Sequence, residues 1–390
     1  MRNKRLDILR CIAIVTVILH HSGDSSFFTR IGWTGVDLFF VLSGFLISGL
    51  LFSEYRKSHA IDLKRFFVRR GLKIYPAFYT FLFLTGVTAE LYLHAHSTFP
   101  RYLHDILFIM NYEHGVWDHT WTLAVEEHFY VFLPIFLHIL ARFSSDRRDP
   151  FRLIPWAAAA IAAICPAFRA ASVYVGTPNF NTPYVASHDR MDALFFGVLI
   201  GYLYHFRPGI LQQLMNSTRN RGVVGVASVV LISFAYLYGR DSRFFATFGY
   251  SLVYIGFGGV LLLSLYTRGI LSGKLAQIAE LVGSAAAYIG VYSYSIYLWH
   301  GPTGAWLPGF FRRILGHPTG TYGRFAVYFV GSLVVGIVMS KLVEYPILHL
   351  RDRLLPTSDI VPVAEQVGIF AQAKSTTYVK IGLPCRQTRQ

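Results

Sequence analysis

The sequence is short of charge. Only 15% of its 390 residues are Asp, Glu, Lys or Arg, whereas soluble globular proteins contain about 25%. So few charges cannot cover the surface of a soluble protein of this length, and disordered and collagen-like chains have a different composition. The hydrophobic fraction of 54% and the mean hydropathy of +0.44 indicate a polytopic membrane protein.

Cysteine and acidic residues are also scarce. Cys11, Cys165 and Cys385 are the three cysteines; they lack metal-ligand spacing and are too few for a disulfide scaffold. With 36 Lys and Arg against 21 Asp and Glu, the net charge is +15. We expect no nucleic-acid partner, because the basic residues separate apolar segments and have no RNP, zinc-finger or helix-turn-helix context. Cationic loops beside a lipid bilayer explain the charge better.

What the sequence has in abundance is long apolar runs. A helix needs about 20 apolar residues to cross the hydrocarbon core, and ten segments qualify, which predicts an all-α transmembrane bundle. The segments are 6–23, 34–53, 74–94, 122–141, 152–172, 191–206, 222–239, 245–266, 283–300 and 325–346.

The loops predict the orientation of this bundle. One set of alternate loops, which includes the N-terminus, holds 22 Lys and Arg, and the other set holds nine. Because basic loops stay in the cytoplasm, both termini are predicted to be cytoplasmic. An even number of spans agrees with this, since it places both termini on the same side of the membrane. The first segment is expected to be retained, since Arg10 and His21 interrupt it and no signal-cleavage pattern follows.

Two parts of the chain differ in kind. Residues 1–355 hold all the apolar segments and form the predicted membrane domain, whereas 356–390 is polar and aperiodic and reads as a disordered cytoplasmic tail. No internal repeat is evident, which argues against a transporter built from inverted halves.

Ionisable residues inside membrane helices are costly and therefore indicate function. Arg10 and His21 lie on one face of the first segment, roughly 16–17 Å apart, because eleven residues make almost three full turns. His20 points about 80° away from that face. Arg10 could instead anchor the helix at the membrane surface, and His21 could be an ordinary interfacial histidine.

The other segments carry such residues too. Asp37 opens the second segment, where capping a helix is its simplest role, and Glu126 with Glu127 enters the fourth. Arg190 and Asp192 open the sixth, and could form an ion pair or bond across helices. His300 ends the ninth.

The predicted orientation divides these residues between two ends. His21, Asp37, Glu126 and His300 fall near the external end, while Arg10 and the basic loop 54–73 fall at the cytoplasmic end. That loop could lie on anionic lipid or dock a phosphorylated donor. The arrangement predicts a reaction between a cytosolic anionic donor and an external acceptor, with histidine as base. A proton-linked exporter of a polysaccharide or small acid would use similar residues and is the alternative.

At this point the sequence resembles the acyltransferase family 3 of integral membrane O-acyltransferases over about residues 4–355. Lys73 stands where the Arg-x-x-Arg segment of the family has its second arginine. The matching stretches are Arg10 with His21, GVDLFFVLSGFLI at 35–47, FFVRRGLKIYP at 66–76, WTLAVEEHFYVFLP at 121–134, RMDALFFGVLIG at 190–201, YSIYLWHGP at 294–302 and VEYPILHL at 343–350.

The resemblance implies transfer of an acyl group, most often acetyl, from cytosolic acyl-coenzyme A to a carbohydrate hydroxyl across the inner (cytoplasmic) membrane. Acceptors in the family include cell-surface polysaccharides, and some similar chains acylate macrolide glycosides. Acyl-coenzyme A is thus a co-substrate, with no permanently bound cofactor and no metal expected. Several relatives carry an extra periplasmic domain. We expect none here, so that the membrane domain or a separate partner completes the transfer.

The resemblance also suggests a role for each residue. His21 would be the general base, or a transient acyl carrier, with Glu126 orienting it or the acceptor and Asp37 supporting both. Arg10 would stabilise the donor within the bundle. Clustered cations suit coenzyme A phosphates, and the candidates are Arg69, Arg70 and Lys73. Residues expected to support the acceptor are Trp121, Glu127, Arg190, Asp192 and His300.

Overall fold

The computed structural model describes residues 3–23, 27–92, 99–175, 182–240, 242–267, 272–317 and 320–355. Within these ranges every regular element is a helix and there is no strand. The prediction of an all-α, polytopic helical bundle is confirmed. Residues Arg2–Pro356 form one compact unit, and the tail predicted at 356–390 lies outside the described residues.

The α-helices follow one another along the chain with short connections. They are α1 Lys4–His20, α2 Phe27–Ile31, α3 Gly35–Ser58, α4 Leu63–Tyr92, α5 Phe99–Ile106, α6 Trp121–Phe143, α7 Ile154–Tyr174, α8 Thr182–Val185, α9 Ser187–Phe206, α10 Pro208–Met215, α11 Thr218–Leu237, α12 Tyr250–Tyr266, α13 Gly273–Val291, α14 Ser293–Leu315, α15 Thr321–Met339 and α16 Tyr345–Leu354. Short π-helical turns precede α12 and α16.

Several of these helices are long and apolar enough to span a membrane. Six of the described helical stretches meet that criterion, or up to eight if each of two bent helix pairs counts as one span. The chain is therefore a multi-pass membrane protein. Ten spans and cytoplasmic termini stay predictions, because α1 and α4, which coincide with predicted spans, are not among these stretches.

The ninth predicted span differs from the structure. Segment 283–300 was expected to be one helix, but the chain breaks at Tyr292, where α13 and α14 meet at an angle of 72°. The apolar composition continues through the break, so hydropathy could not detect it. The break matters for the site, because it places Val291 and Ser293 on the wall of an internal cavity.

Glycines allow the central helices to approach closely. A Cβ at Gly44 of α3 would lie 1.9 Å from the carbonyl oxygen of Leu194, and one at Gly197 of α9 would lie 2.2 Å from that of Val41. Small residues at such crossings let membrane helices pack backbone to backbone. This contact holds α3 against α9 in the middle of the bundle.

Helix α1 is fixed on two sides. At Gly290 of α13 a Cβ would lie 1.8 Å from the carbonyl oxygen of Asp7, and at Gly35 of α3 a Cβ would lie 2.3 Å from the hydroxyl of Thr16. Lys4 also forms an ion pair with Glu280 of α13. These contacts determine where Arg10 and His21 stand relative to the rest of the bundle.

Candidate active site

A cavity of about 140 Å³ lies between α1, α3, α4, α6 and α14. This is many times the ~10–15 Å³ that one water molecule needs. Its wall carries an unusual number of charged groups for the interior of a membrane protein. The cations are Arg10, Arg70 and Lys73, and the carboxylates are Glu126 and Glu344.

Three of the four residues predicted to bind the donor line this cavity. Nη1 of Arg10 donates to Asp7 Oδ1 at 2.9 Å, and the Arg70 guanidinium lies 3.7 Å from the centre of the Tyr130 ring. Lys73 lies one turn of α4 after Arg70, on the same face. The cavity therefore has a basic wall formed by two helices.

Arg69 does not belong to that wall. Its Nη2 donates to Asp352 Oδ1 of α16 at 3.0 Å, and its Nη1 donates to the carbonyl of Leu355. Adjacent residues of a helix point about 100° apart, so Arg69 and Arg70 cannot both face the cavity. Arg69 fastens α16 to α4.

Glu126 lies in the cavity wall within a chain of hydrogen bonds. It accepts from the hydroxyl of Ser43, which accepts in turn from the hydroxyl of Tyr130 at 3.3 Å. Glu127 points elsewhere and accepts from the hydroxyl of Tyr75 at 3.2 Å. The bond from Ser43 shows that Glu126 contacts α3, and His21 takes no part in this chain.

The histidine cluster, which we define as His20, His21, His119 and His300, lies beyond the cavity. The ring of His21 is centred 5.0 Å from that of His20 and 5.0 Å from that of His300. The ring of His119 lies 4.6 Å from that of His300. Three parts of the chain thus converge at the end of α1, and His21 remains exposed there.

Tyr297 connects the cavity with the histidine cluster. It lines the cavity, and its ring is centred 5.4 Å from that of His300. Its hydroxyl accepts from Thr122 at 2.7 Å and donates to the carbonyl of His119 at 2.5 Å. Tyr297 therefore contacts both the cavity and the histidine cluster.

The predicted support residues Asp37, Arg190 and Asp192 form a separate buried network. Nη2 of Arg190 donates to Asp37 at 2.7 Å, and Nη2 of Arg169 donates to Asp192 at 2.9 Å. All four side chains are almost inaccessible to solvent. A charge buried this deeply needs a counter-ion, so these pairs hold α3, α7 and α9 together rather than contacting His21.

Trp121, also predicted to support the acceptor, packs on the edge of this network. Its ring lies 4.8 Å from that of Tyr184 and 6.0 Å from the guanidinium of Arg190. It is buried. Its contacts are those of a core residue, at the start of α6 between the network and the cavity helices.

Sequence reasoning missed several residues of the site. His119 lies in the turn Asp118–Thr120 before α6, but no periodicity distinguished it from the other histidines. Ser43, Tyr130, Tyr297 and Glu344 lie within quoted motifs, yet their polar groups could be assigned only once the helices were packed. Among the described residues, no group of three His, Cys, Asp or Glu is placed to hold a metal ion.

Comparison with known proteins gives consistent matches. A family model described as an acyltransferase domain matches residues 3–341. A protein of Staphylococcus aureus (strain COL), provisionally named an O-acetyltransferase, is 28% identical over 76% of this chain and 49% of its own length. No solved structure matches the chain significantly.

Two further relatives have more specific names. The peptidoglycan O-acetyltransferase OatA of Listeria monocytogenes is 24% identical over 76% of this chain and 48% of its own length. The O-acetyltransferase OatA of Staphylococcus aureus (strain NCTC 8325) is 24% identical over 76% of this chain and 50% of its own length. The chain thus matches about half the length of these curated relatives.

Proposed function

Because the chain belongs to the acyltransferase 3 family, we propose that it transfers an acyl group, most simply acetyl, from cytosolic acyl-coenzyme A to a carbohydrate hydroxyl. The reaction would take place within the inner membrane. The observation that carries the proposal is the site itself, in which one cavity leads from Arg10, Arg70 and Lys73 to Tyr297 beside the histidine cluster.

The basic wall supports an anionic donor. Guanidinium and ammonium groups form strong, charge-assisted hydrogen bonds with phosphate oxygens. Arg10 is already paired with Asp7, and Glu126 and Glu344 face the same cavity, so the phosphates would be held mainly by Arg70 and Lys73. The pantetheine arm of coenzyme A would then carry the thioester along the cavity towards Tyr297.

The geometry of His21 supports its role as the general base. Its Nδ1 lies 2.9 Å from the carbonyl oxygen of Val17, which can only accept, so Nδ1 carries the hydrogen and Nε2 keeps a lone pair. Nε2 would take the proton of the acceptor hydroxyl as its oxygen bonds to the acyl carbon. The carbon–sulfur bond then breaks, the thiolate leaves and takes up a proton from water, and His21 returns its proton to solvent.

A carbohydrate acceptor is supported by the relatives. The name of the Listeria protein specifies peptidoglycan, a carbohydrate polymer, as its acceptor. The exposure of His21 at the end of α1 agrees with a large acceptor that approaches from outside the bundle. The acyl donor and the polymer are then on opposite sides of the site.

Thiol release from acetyl-coenzyme A by the purified chain in lipid nanodiscs, with glycan fragments added, tests this function. His21→Ala should reduce acceptor-dependent release by about 10²–10⁴-fold, the usual contribution of a general base. His138→Ala is the matched control, because His138 also bonds a backbone carbonyl, that of Ile61, but lies on α6 away from the site.

The same preparation distinguishes transfer from transport. Acylated glycan detected by mass spectrometry supports the proposal. Glycan flux across vesicles without any acyl donor, together with unchanged thiol release in His21→Ala, would contradict it and favour an exporter.

A further inference from the structure

Arg351 and Asp352, near the end of α16, form an ion cluster with Arg69 of α4. Asp352 Oδ1 accepts from Nη2 of Arg69 at 3.0 Å and from Nε of Arg351 at 2.9 Å, and Nη2 of Arg351 lies 2.8 Å from the same oxygen. Nη1 of Arg69 donates to the carbonyl of Leu355. Two guanidinium groups therefore share one carboxylate oxygen.

This cluster has more positive than negative charge and is open to solvent. One carboxylate neutralises only one of the two guanidinium groups. A guanidinium has five N–H donors, and the contacts to Asp352 involve two of the three nitrogens of Arg351, so donors are left for a further anion. The side chains of Arg351 and Asp352 are 15% and 53% exposed, so that anion can reach the cluster from the surface.

The ion cluster lies next to the basic wall of the cavity. Arg69 directly precedes Arg70, which lines the cavity, and the Cα atoms of consecutive residues are about 3.8 Å apart. Glu344 also lines the cavity, and Arg351 follows it after seven residues of helix. Seven residues make almost two full turns and roughly 10.5 Å, so Arg351 lies on nearly the same face as Glu344, farther along the helix.

We propose that Arg351 binds the 3′-phosphate of coenzyme A. The pyrophosphate of the same molecule lies against Arg70 and Lys73, and its pantetheine arm enters the cavity. Guanidinium groups bind phosphate oxygens through charge-assisted hydrogen bonds. Arg69 is a positioning residue, because its bond to Asp352 holds the end of α16 beside α4. No covalent bond forms or breaks at Arg351.

This inference rests on the proposed function, because it assigns one more part of the donor to a residue. An anionic lipid headgroup offers similar phosphate chemistry. The donor fits better at Arg351, which is close to the cavity and only 15% exposed. Arg353 lies about 200° around α16 from Arg351 and is exposed, so it is the better placed of the two for a lipid contact.

Calorimetric titration of the full chain in nanodiscs with coenzyme A and with dephospho-coenzyme A tests the inference. The two probes differ only by the 3′-phosphate, and neither carries an acyl group. The dissociation constant should be about fivefold lower for coenzyme A, which corresponds to ~1 kcal/mol, as expected for a partly exposed ion pair. Equal binding of the two probes would overturn the assignment, whereas binding of neither would contradict the proposed function itself.

Substitutions on α16 locate the effect. In Arg351→Ala the preference for coenzyme A should fall below about twofold, and Arg351→Lys, which keeps the charge, should retain most of it. Arg353→Ala is the matched control, because it removes the same charge from the opposite face of the same helix. An unchanged preference in Arg351→Ala, or an equal loss in Arg353→Ala, would show that Arg351 does not bind the 3′-phosphate.

The lipid alternative has its own measurement. Native mass spectrometry should find the same amount of phosphatidylglycerol retained by the wild-type chain and by Arg351→Ala. Loss of bound lipid in Arg351→Ala, together with equal binding of the two probes, would assign the ion cluster to a headgroup and contradict the proposal. The comparison of the two probes on the wild-type chain needs no variant, so it decides the question even if Arg351→Ala does not fold.

Discussion

At the scale of single residues, neighbouring arginines of α4 have different surroundings. Arg70 faces the cavity, stacked on Tyr130, while Arg69 binds Asp352. Both were predicted to bind the donor, because a sequence shows how many cations a loop has but not which way each one points. The 100° step of the helix separates them.

The two arginines should therefore respond differently to substitution. Arg70→Ala is expected to raise KM for acetyl-coenzyme A by about 10–100-fold, since a hydrogen bond to a charged group contributes ~1.5–3 kcal/mol. Arg69→Ala should raise it by less than about fivefold, as expected for a partly exposed ion pair. Steady-state kinetics of thiol release measure both, and a larger effect of Arg69→Ala would contradict the assignment of the basic wall.

The buried pair Asp37–Arg190 is a second prediction at this scale. Asp37→Ala leaves Arg190 buried without its partner and should destabilise the protein by about 3–5 kcal/mol. The double substitution Asp37→Ala with Arg190→Ala should cost less than the sum of the single ones. Thermal unfolding in detergent, with exposed Arg312→Ala as control, measures this. Additive losses would show that the pair is not coupled.

Residue-level reasoning from the sequence was most informative where a polar group interrupts an apolar helix. Arg10 and Glu126 were singled out for that reason, and both line the cavity. His119 could not be found this way, because it lies outside the apolar segments. Its place beside His300 depends on packing between α14 and the turn before α6.

At the scale of helices, the contact between α3 and α9 depends on glycine. Gly197→Ala would place a Cβ 2.2 Å from the carbonyl oxygen of Val41, so the helices must separate, at an expected cost of about 1–3 kcal/mol. Gly222→Ala is the control, because nothing lies within 4 Å of a Cβ there; it should stabilise α11 by about 0.5–1 kcal/mol.

Melting temperatures of the two glycine variants test whether α3 and α9 pack this closely. A lower value for Gly197→Ala and an equal or higher one for Gly222→Ala are expected. If both variants melted like the wild type, the close helix crossing would not be present in the membrane.

Hydropathy predicted where the helices lie along the sequence, but it did not predict the bend between two consecutive helices. Each of the ten predicted segments overlaps a helix of the described residues, but the ninth runs across the break at Tyr292 between α13 and α14. Averages over a window of residues record composition. They contain no information about a bend of 72°, which depends on how the two halves pack against α1 and α15.

At the scale of the whole molecule, the orientation in the membrane stays a prediction. With the natural cysteines replaced, Tyr322→Cys should react with a membrane-impermeant maleimide on intact spheroplasts, and Lys57→Cys only after lysis. Both positions are exposed in the structure, so access depends on the side of the membrane. The reverse pattern of labelling would invert the topology and place the basic wall outside.

In the proposed reaction, the break at Tyr292 affects how far an acyl group must travel. Ser293 on the cavity wall and His300 in the cluster lie on the same uninterrupted stretch of α14, and seven residues of helix measure roughly 10.5 Å. The distance between the cavity wall and the histidine cluster is thus fixed by a continuous helix and not by a flexible joint. The flexible pantetheine arm of coenzyme A would cover this distance, and no domain movement of the protein would be needed.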